Sequence, residues 1–194
     1  MFAQTTTHGT LLARLSGGAD GGAWREFCDR YEELIRAFAR RRGVSPSDCD
    51  DVVQDVMLAL TKAMPGFEYD PAKGKFRSYL KTVTLHAVTR RSRQNPPVAH
   101  LESSGGSIAG GPAEDEETWE AEWRQYHLRT AMKTIRAEFS PSDLGAFDAY
   151  AVTGEEAAAV ASQLGISVDS VYQAKSRVLR RLSQVIAQQV EEEG

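Results

Sequence analysis

Apolar residues recur along this chain at intervals of three and four, and strict alternation with polar residues is scarce, so helices are expected nearly throughout. Trp24, Phe27, Tyr31, Leu34, Ile35 and Phe38 fall on one helical face that ends at Gly43. Ser45-Pro46 then reads as a restart, with Ser as cap and Pro in the first turn. In the helix that follows, Val52, Val56, Ala59, Leu60 and Ala63 are expected to face inward. Asp51, Gln54, Asp55, Leu58 and Lys62 form a second stripe, either a solvated face or a docking surface. Another helix is expected from about Phe76 to Arg93, with Phe76 and Leu80 in the core. The expected fold class is all-α.

The pattern changes character near the end, in VASQLGISVDSVYQAKSRVLRRL, from Val160 to Leu182. Val160, Ala161 and Leu164 give a short apolar stripe. Gly165 supplies a left-handed position at low cost, and Ser167 is a good cap for a second helix. Val171, Val178 and Leu182 form its buried side. Tyr172, Gln173, Ser176, Arg177, Arg180 and Arg181 form the other. Two helices joined by a short Gly turn, the second polar and basic, read as a helix-turn-helix, the second helix being the one that enters a DNA groove. The alternative is an ordinary helical hairpin with a charged solvated face.

Composition divides the chain. The stretch from Gln94 is rich in Pro, Gly and Ser and has no apolar period, which suggests a flexible linker over 94–113 between domains at 1–93 and 114–194. Such a linker spans about 25 Å on average. The net charge of −4 conceals an asymmetry: up to Arg93 there are 15 Lys and Arg against 11 Asp and Glu, and beyond it 8 against 16. Local charge rather than the total therefore indicates partners. Between Asp70 and Glu102 there is no acidic residue, while Lys73, Lys75, Arg77, Lys81, Arg90, Arg91 and Arg93 all occur. Interleaved with Phe67, Tyr69, Phe76 and Tyr79, they suit single-stranded nucleic acid, where cations pair with phosphates and rings stack on bases. The acidic run Glu114, Asp115, Glu116, Glu117, Glu120 and Glu122 suits a helix N-terminus, and it could also shield the basic surface of the first domain.

Little else points to chemistry. Cys28 and Cys49 match no metal spacing, the four histidines show no ligand pattern, and no P-loop or nucleophile elbow occurs. No cofactor, metal or enzymatic activity is expected. There is no apolar run of membrane length and no secretory signal pattern, so a reduced, cytoplasmic setting without membrane insertion is expected.

The helix containing DDVVQDVMLAL, the segment FEYDPAKGKFRSYLKTV, a linker and LGISVDSVYQAKSRVLRRL, in this order, resemble the bacterial RNA polymerase sigma factors of the extracytoplasmic-function group. The resemblance covers about Trp24 to Arg93 and Thr130 to Leu182. It implies a first domain like region two and a second like region four. Asp51, Gln54, Asp55 and Leu58 would then bind the clamp helices of core RNA polymerase. Lys75, Arg77, Lys81 and Arg90 would hold the DNA backbone at the minus-ten element, with Phe67 or Tyr69 helping to hold a flipped base. In the major groove of the minus-thirty-five element, Ser170, Gln173 and Arg177 would reach base edges, with Tyr172 and Ser176 on the same side and Arg180 and Arg181 on phosphates. The second domain would also touch the polymerase flap, and an anti-sigma factor is a further implied partner.

The chain departs from the family pattern at three positions. His86 stands where Asn is usual, Arg90 where Asp is usual and Tyr79 where Trp is commonest, so the role of the Asn does not pass to His86. Two other readings fit parts of the sequence. One is a conventional dimeric helix-turn-helix transcription regulator, which needs a palindromic site and no polymerase. The other is an adaptor that binds polymerase or an anti-sigma factor but not DNA.

Overall fold

The computed structural model describes residues 8–18, 20–67, 76–94 and 111–192. Every regular element among them is helical: α1 (His8–Ser16), α2 (Gly21–Arg41), α3 (Pro46–Ala63), α4 (Phe76–Gln94), α5 (Pro112–Glu138), α6 (Pro141–Phe147), a π-helical turn (Asp148–Val152), α7 (Ala157–Leu164) and α8 (Val168–Glu192). Most of the expected linker, as well as Tyr69 and Lys75, lies outside the described residues.

The helix boundaries follow from local chemistry. Asp20 accepts hydrogen bonds from the Gly22 and Ala23 amides, both at 2.9 Å, and so caps α2. The tetrapeptide Ser-Pro-Ser-Asp opens both α3 (Ser45–Asp48) and α6 (Ser140–Asp143). In each, the Ser Oγ accepts from the Asp amide and donates to the Asp carboxylate, while Pro fills the first turn. Gly165 ends α7 at φ +65°, and Ser167 caps α8 by accepting from the Ser170 amide at 3.1 Å.

The chain forms two compact units, one reaching to Tyr126 and the other comprising His127–Glu191. The division falls later than composition suggests because the first part of α5 belongs to the first unit's core. Trp119, Trp123 and Tyr126 recur one helical turn apart and are buried there with residues of α2, α3 and α4. Tyr31 of α2 stacks with Trp123 and Tyr126, at 6.3 and 5.5 Å between centroids, and Phe38 meets Trp119 edge-on at 5.2 Å. Such pairs add about 0.5–1.5 kcal/mol each beyond the area they bury. Leu11, Leu12 and Leu15 bring α1 into the same core, and Arg14 ties α1 to Asp20 and Glu26 at 2.8 and 3.0 Å.

The second unit buries two smaller clusters. One gathers Ala131, Ile135, Phe147, Val178, Leu182 and Val185, and the other Ala146, Ala157, Val160, Ala161, Val171 and Ala174.

Candidate nucleic-acid and protein interfaces

On α3, Cys49, Val52, Val53, Val56 and Leu60 point inward, whereas Ala59 and Ala63 are exposed, contrary to expectation. Alanine is small and apolar enough to sit on either side of an amphipathic helix, so its presence did not mark the buried face. The opposite stripe carries the four expected docking residues. Gln54 is exposed, and Leu58 keeps 55% of its surface in solvent. Asp51 and Asp55 are engaged: Arg91 reaches Asp51 at 2.7 Å and lies 3.9 Å from Asp48, and Arg90 pairs with Asp55. The two arginines come from α4, so the α3 stripe and the basic helix share a seam of ion pairs.

On α4, Phe76, Leu80, Thr84, Ala87 and Val88 are buried. Thr84 satisfies its hydroxyl by donating to the Leu80 carbonyl at 2.8 Å. Phe76 is therefore a core residue, meeting Phe27 edge-on at 5.9 Å. Phe67, half-buried, stacks on Tyr79 with centroids 5.7 Å apart and planes 26° apart, so it has an aromatic neighbour already. Arg77 and Lys81 lie one turn apart and are each only about a quarter exposed. Arg77 pairs with Glu120 and stands over the Trp123 ring at 5.2 Å. Lys81 pairs with Glu116.

On α8, Val171, Ala174, Val178, Leu182 and Val185 turn inward. Tyr172, Gln173, Ser176, Arg177 and Arg180 are exposed, as expected of a groove-reading face. Ser170 is half-buried and shares a 2.8 Å hydrogen bond with Ser167. Arg177 pairs with Asp143 at the start of α6. Arg181 makes a bidentate contact with Glu138, both hydrogen bonds at 2.7 Å. That contact holds the Glu138 carboxyl below its usual range and raises the Arg181 guanidinium. Arg181 thus joins α8 to α5, while Arg180 stays in solvent.

Three features escaped the sequence. Lys175 stands over the Tyr150 ring at 4.9 Å, and Tyr150 meets Tyr172 edge-on at 5.4 Å, adding a cation and a ring beside the exposed face. Arg91 is a partner of the α3 stripe, as described above. The third is the buried aromatic stripe of α5, Trp119, Trp123 and Tyr126, whose helical spacing was its one signal in the sequence. Cys28 and Cys49 are both free, and burial pushes both thiols up, away from the reactive thiolate. Among the described residues, no group of His, Cys, Asp and Glu could hold a metal ion, and no helix is long and apolar enough to cross a membrane.

Residues 27–96 match the Sigma-70 region 2 family, a span that runs from Phe27 of α2 through α3 and α4. RNA polymerase sigma factor CnrH of Cupriavidus metallidurans is 27% identical over 185 residues, covering 91% of this chain and 93% of that protein. RNA polymerase sigma factor NccH of Alcaligenes xylosoxydans xylosoxydans is 34% identical over 85 residues, covering 43% and 44%. A solved structure described as CnrH in complex with the cytosolic domain of CnrY aligns with 92% of this chain and 96% of its own, at 21% identity and a TM-score of 0.38. The chain carries a sigma-70 region 2 domain and is a homologue of the RNA polymerase sigma factors of the extracytoplasmic-function group.

Proposed function

We propose that this sigma factor divides promoter recognition between its two units and docks on core RNA polymerase through the outer stripe of α3. The observation that carries the reading is the coexistence, in one chain, of a region 2 match over 27–96 and a Gly-turned helix pair with Gln173, Ser176, Arg177 and Arg180 exposed. In this reading Gln54 and Leu58 meet the clamp helices, with Asp51 and Asp55 beside them. The second unit sets the N-terminal part of α8 into the major groove at the minus-thirty-five element and also touches the flap. Gln173 and Arg177 read base edges, and Arg180 holds phosphate. The segment before α4 and the helix itself hold the separated strand at the minus-ten element.

Energetics favour this division. Opening duplex DNA costs about 1.4 kcal/mol per base-pair step, and stacking an exposed base on an aromatic ring returns about 1–3 kcal/mol. With no nucleotide-hydrolysis motif in the sequence, binding energy shared with the polymerase is the available source.

The test is initiation by core polymerase and this chain on a promoter library. Gln173→Ala should change base preference in the upstream element and leave the downstream element unchanged. An upstream profile identical to that of the unaltered chain would remove α8 from sequence readout.

A further inference from the structure

The first part of α5 carries three rows of side chains. Its central row, Trp119, Trp123 and Tyr126, is buried. On one side of that row, Glu116 and Glu120 are one turn apart and pair with Lys81 and Arg77, which are themselves one turn apart on α4. On the other side, Asp115 meets Arg42 at 2.9 Å and Glu122 meets Arg41, both at the C-terminal end of α2. Four cations of the first unit thus face four carboxylates of one helical segment, and the two pairs made with α4 repeat one turn apart on both helices. A solvated acidic face needs no such matching, and the two pairs with α4, which are partly exposed, add little stability beside the buried Arg42–Asp115 pair. The buried aromatic row fixes the segment in place without help from Glu116 or Glu120. These two carboxylates are therefore surplus to holding α5, yet they occupy the two α4 cations that the proposed function assigns to the DNA backbone.

We propose that Glu116 and Glu120 are an internal competitor for nucleic acid: they take the positions of phosphates on Lys81 and Arg77 and lower the affinity of the free chain for single-stranded DNA. This inference rests on the reading that α4 faces the separated strand. Because the aromatic row anchors the helix, competition requires only that the two ion pairs exchange carboxylate for phosphate. A partner that concentrates the strand beside α4, as core polymerase would during promoter opening, tips that exchange toward DNA. The free chain then stays off stray single strands.

The experiment is fluorescence anisotropy of a labelled single-stranded oligodeoxynucleotide titrated with the full chain over a range of salt concentrations. Glu116→Gln with Glu120→Gln should tighten binding about tenfold at low salt. It should also steepen the salt slope by about 1.4, because each phosphate contact on a single strand contributes about 0.7. The control is Glu114→Gln with Glu117→Gln, which makes the same change in net charge on exposed residues outside these four pairs and should alter affinity less than about twofold. Equal effects of the two double variants would overturn the inference, since the carboxylates would then act only through overall charge. Should the first double variant melt early, Glu116→Gln alone provides the same comparison against Glu117→Gln. Run-off transcription separates the two levels of the account. A wild-type chain that fails to initiate with core polymerase refutes the proposed function. A chain that initiates normally, while the two double variants bind the oligonucleotide alike, refutes only the competition.

Discussion

Leu58→Ala is expected to weaken binding to core RNA polymerase about fivefold without lowering the melting temperature. The residue sits on the outer stripe of α3 with 55% of its surface in water. Fully burying a leucine side chain is worth about 1.5–3 kcal/mol. Roughly half of that gain is still open in the free chain, so docking over Leu58 contributes about 1 kcal/mol, which corresponds to about fivefold in Kd. Leu58→Asp goes further, because it also buries a carboxylate without an assigned partner. It should weaken binding about a hundredfold, or about 3 kcal/mol, within the range for an unpaired buried charge. The control is two residues away: Leu60 is fully buried, and Leu60→Ala should cost about 2–5 kcal/mol of folding stability. The assay is titration of labelled chain with core polymerase, paired with thermal melts of each variant. If Leu58→Asp bound core like the wild type, the outer stripe of α3 would not be the docking surface. If it lowered the melting temperature as much as Leu60→Ala, the side chain would be part of the scaffold.

Other expectations follow from the same geometry. Arg181→Ala should lower the stability of the second unit by up to about 1 kcal/mol, because it removes an exposed bidentate pair with Glu138. Arg180→Ala should leave the melting temperature unchanged and make the salt slope of promoter binding shallower by about 0.9. Gly165→Ala should cost about 1–2 kcal/mol, measured by denaturant unfolding, because its φ of +65° disfavours a Cβ although no atom lies within 4 Å to clash with one. Asp20 and Glu138 are held below their ordinary values of 3.8 and 4.5, chiefly by hydrogen bonds from Arg14 and Arg181. Their contribution to stability is complete above those values and is lost as pH falls through the lower folded ones, since the unfolded chain takes up protons first. Melts recorded downward from pH 6 should show this loss, and Arg181→Ala should remove the share due to Glu138.

Much of the fold was legible because it rests on local rules. The faces of α2 and α8, the Ser45-Pro46 restart and the left-handed Gly165 all appear where periodicity and turn chemistry place them. The outer stripe of α3 was legible as a set of positions, since Gln54 and Leu58 lie outside the buried face. Its electrostatics were not. Asp51 and Asp55 face Arg91 and Arg90 because α3 packs beside α4, and nothing within either helix fixes that register. This pairing also gives Arg90, where the chain departs from the family pattern, a partner in Asp55. The basic segment of α4 could be seen, but the carboxylates opposite it come from a helix that begins beyond the glycine-rich stretch. Arg181 illustrates the same limit on α8: the family resemblance suggests a phosphate contact, whereas the structure pairs it with Glu138, which the sequence pattern of α8 does not reveal.

The central claim is that this chain directs core RNA polymerase to promoters, and run-off transcription with purified components tests it most directly. Core polymerase plus the chain should yield transcripts from a defined start on a promoter drawn from the library selection. Core polymerase alone, or with Leu58→Asp, should yield none. Absence of transcripts with the wild-type chain, together with tight dimeric binding to a palindromic duplex without polymerase, would contradict the account and identify a conventional helix-turn-helix regulator.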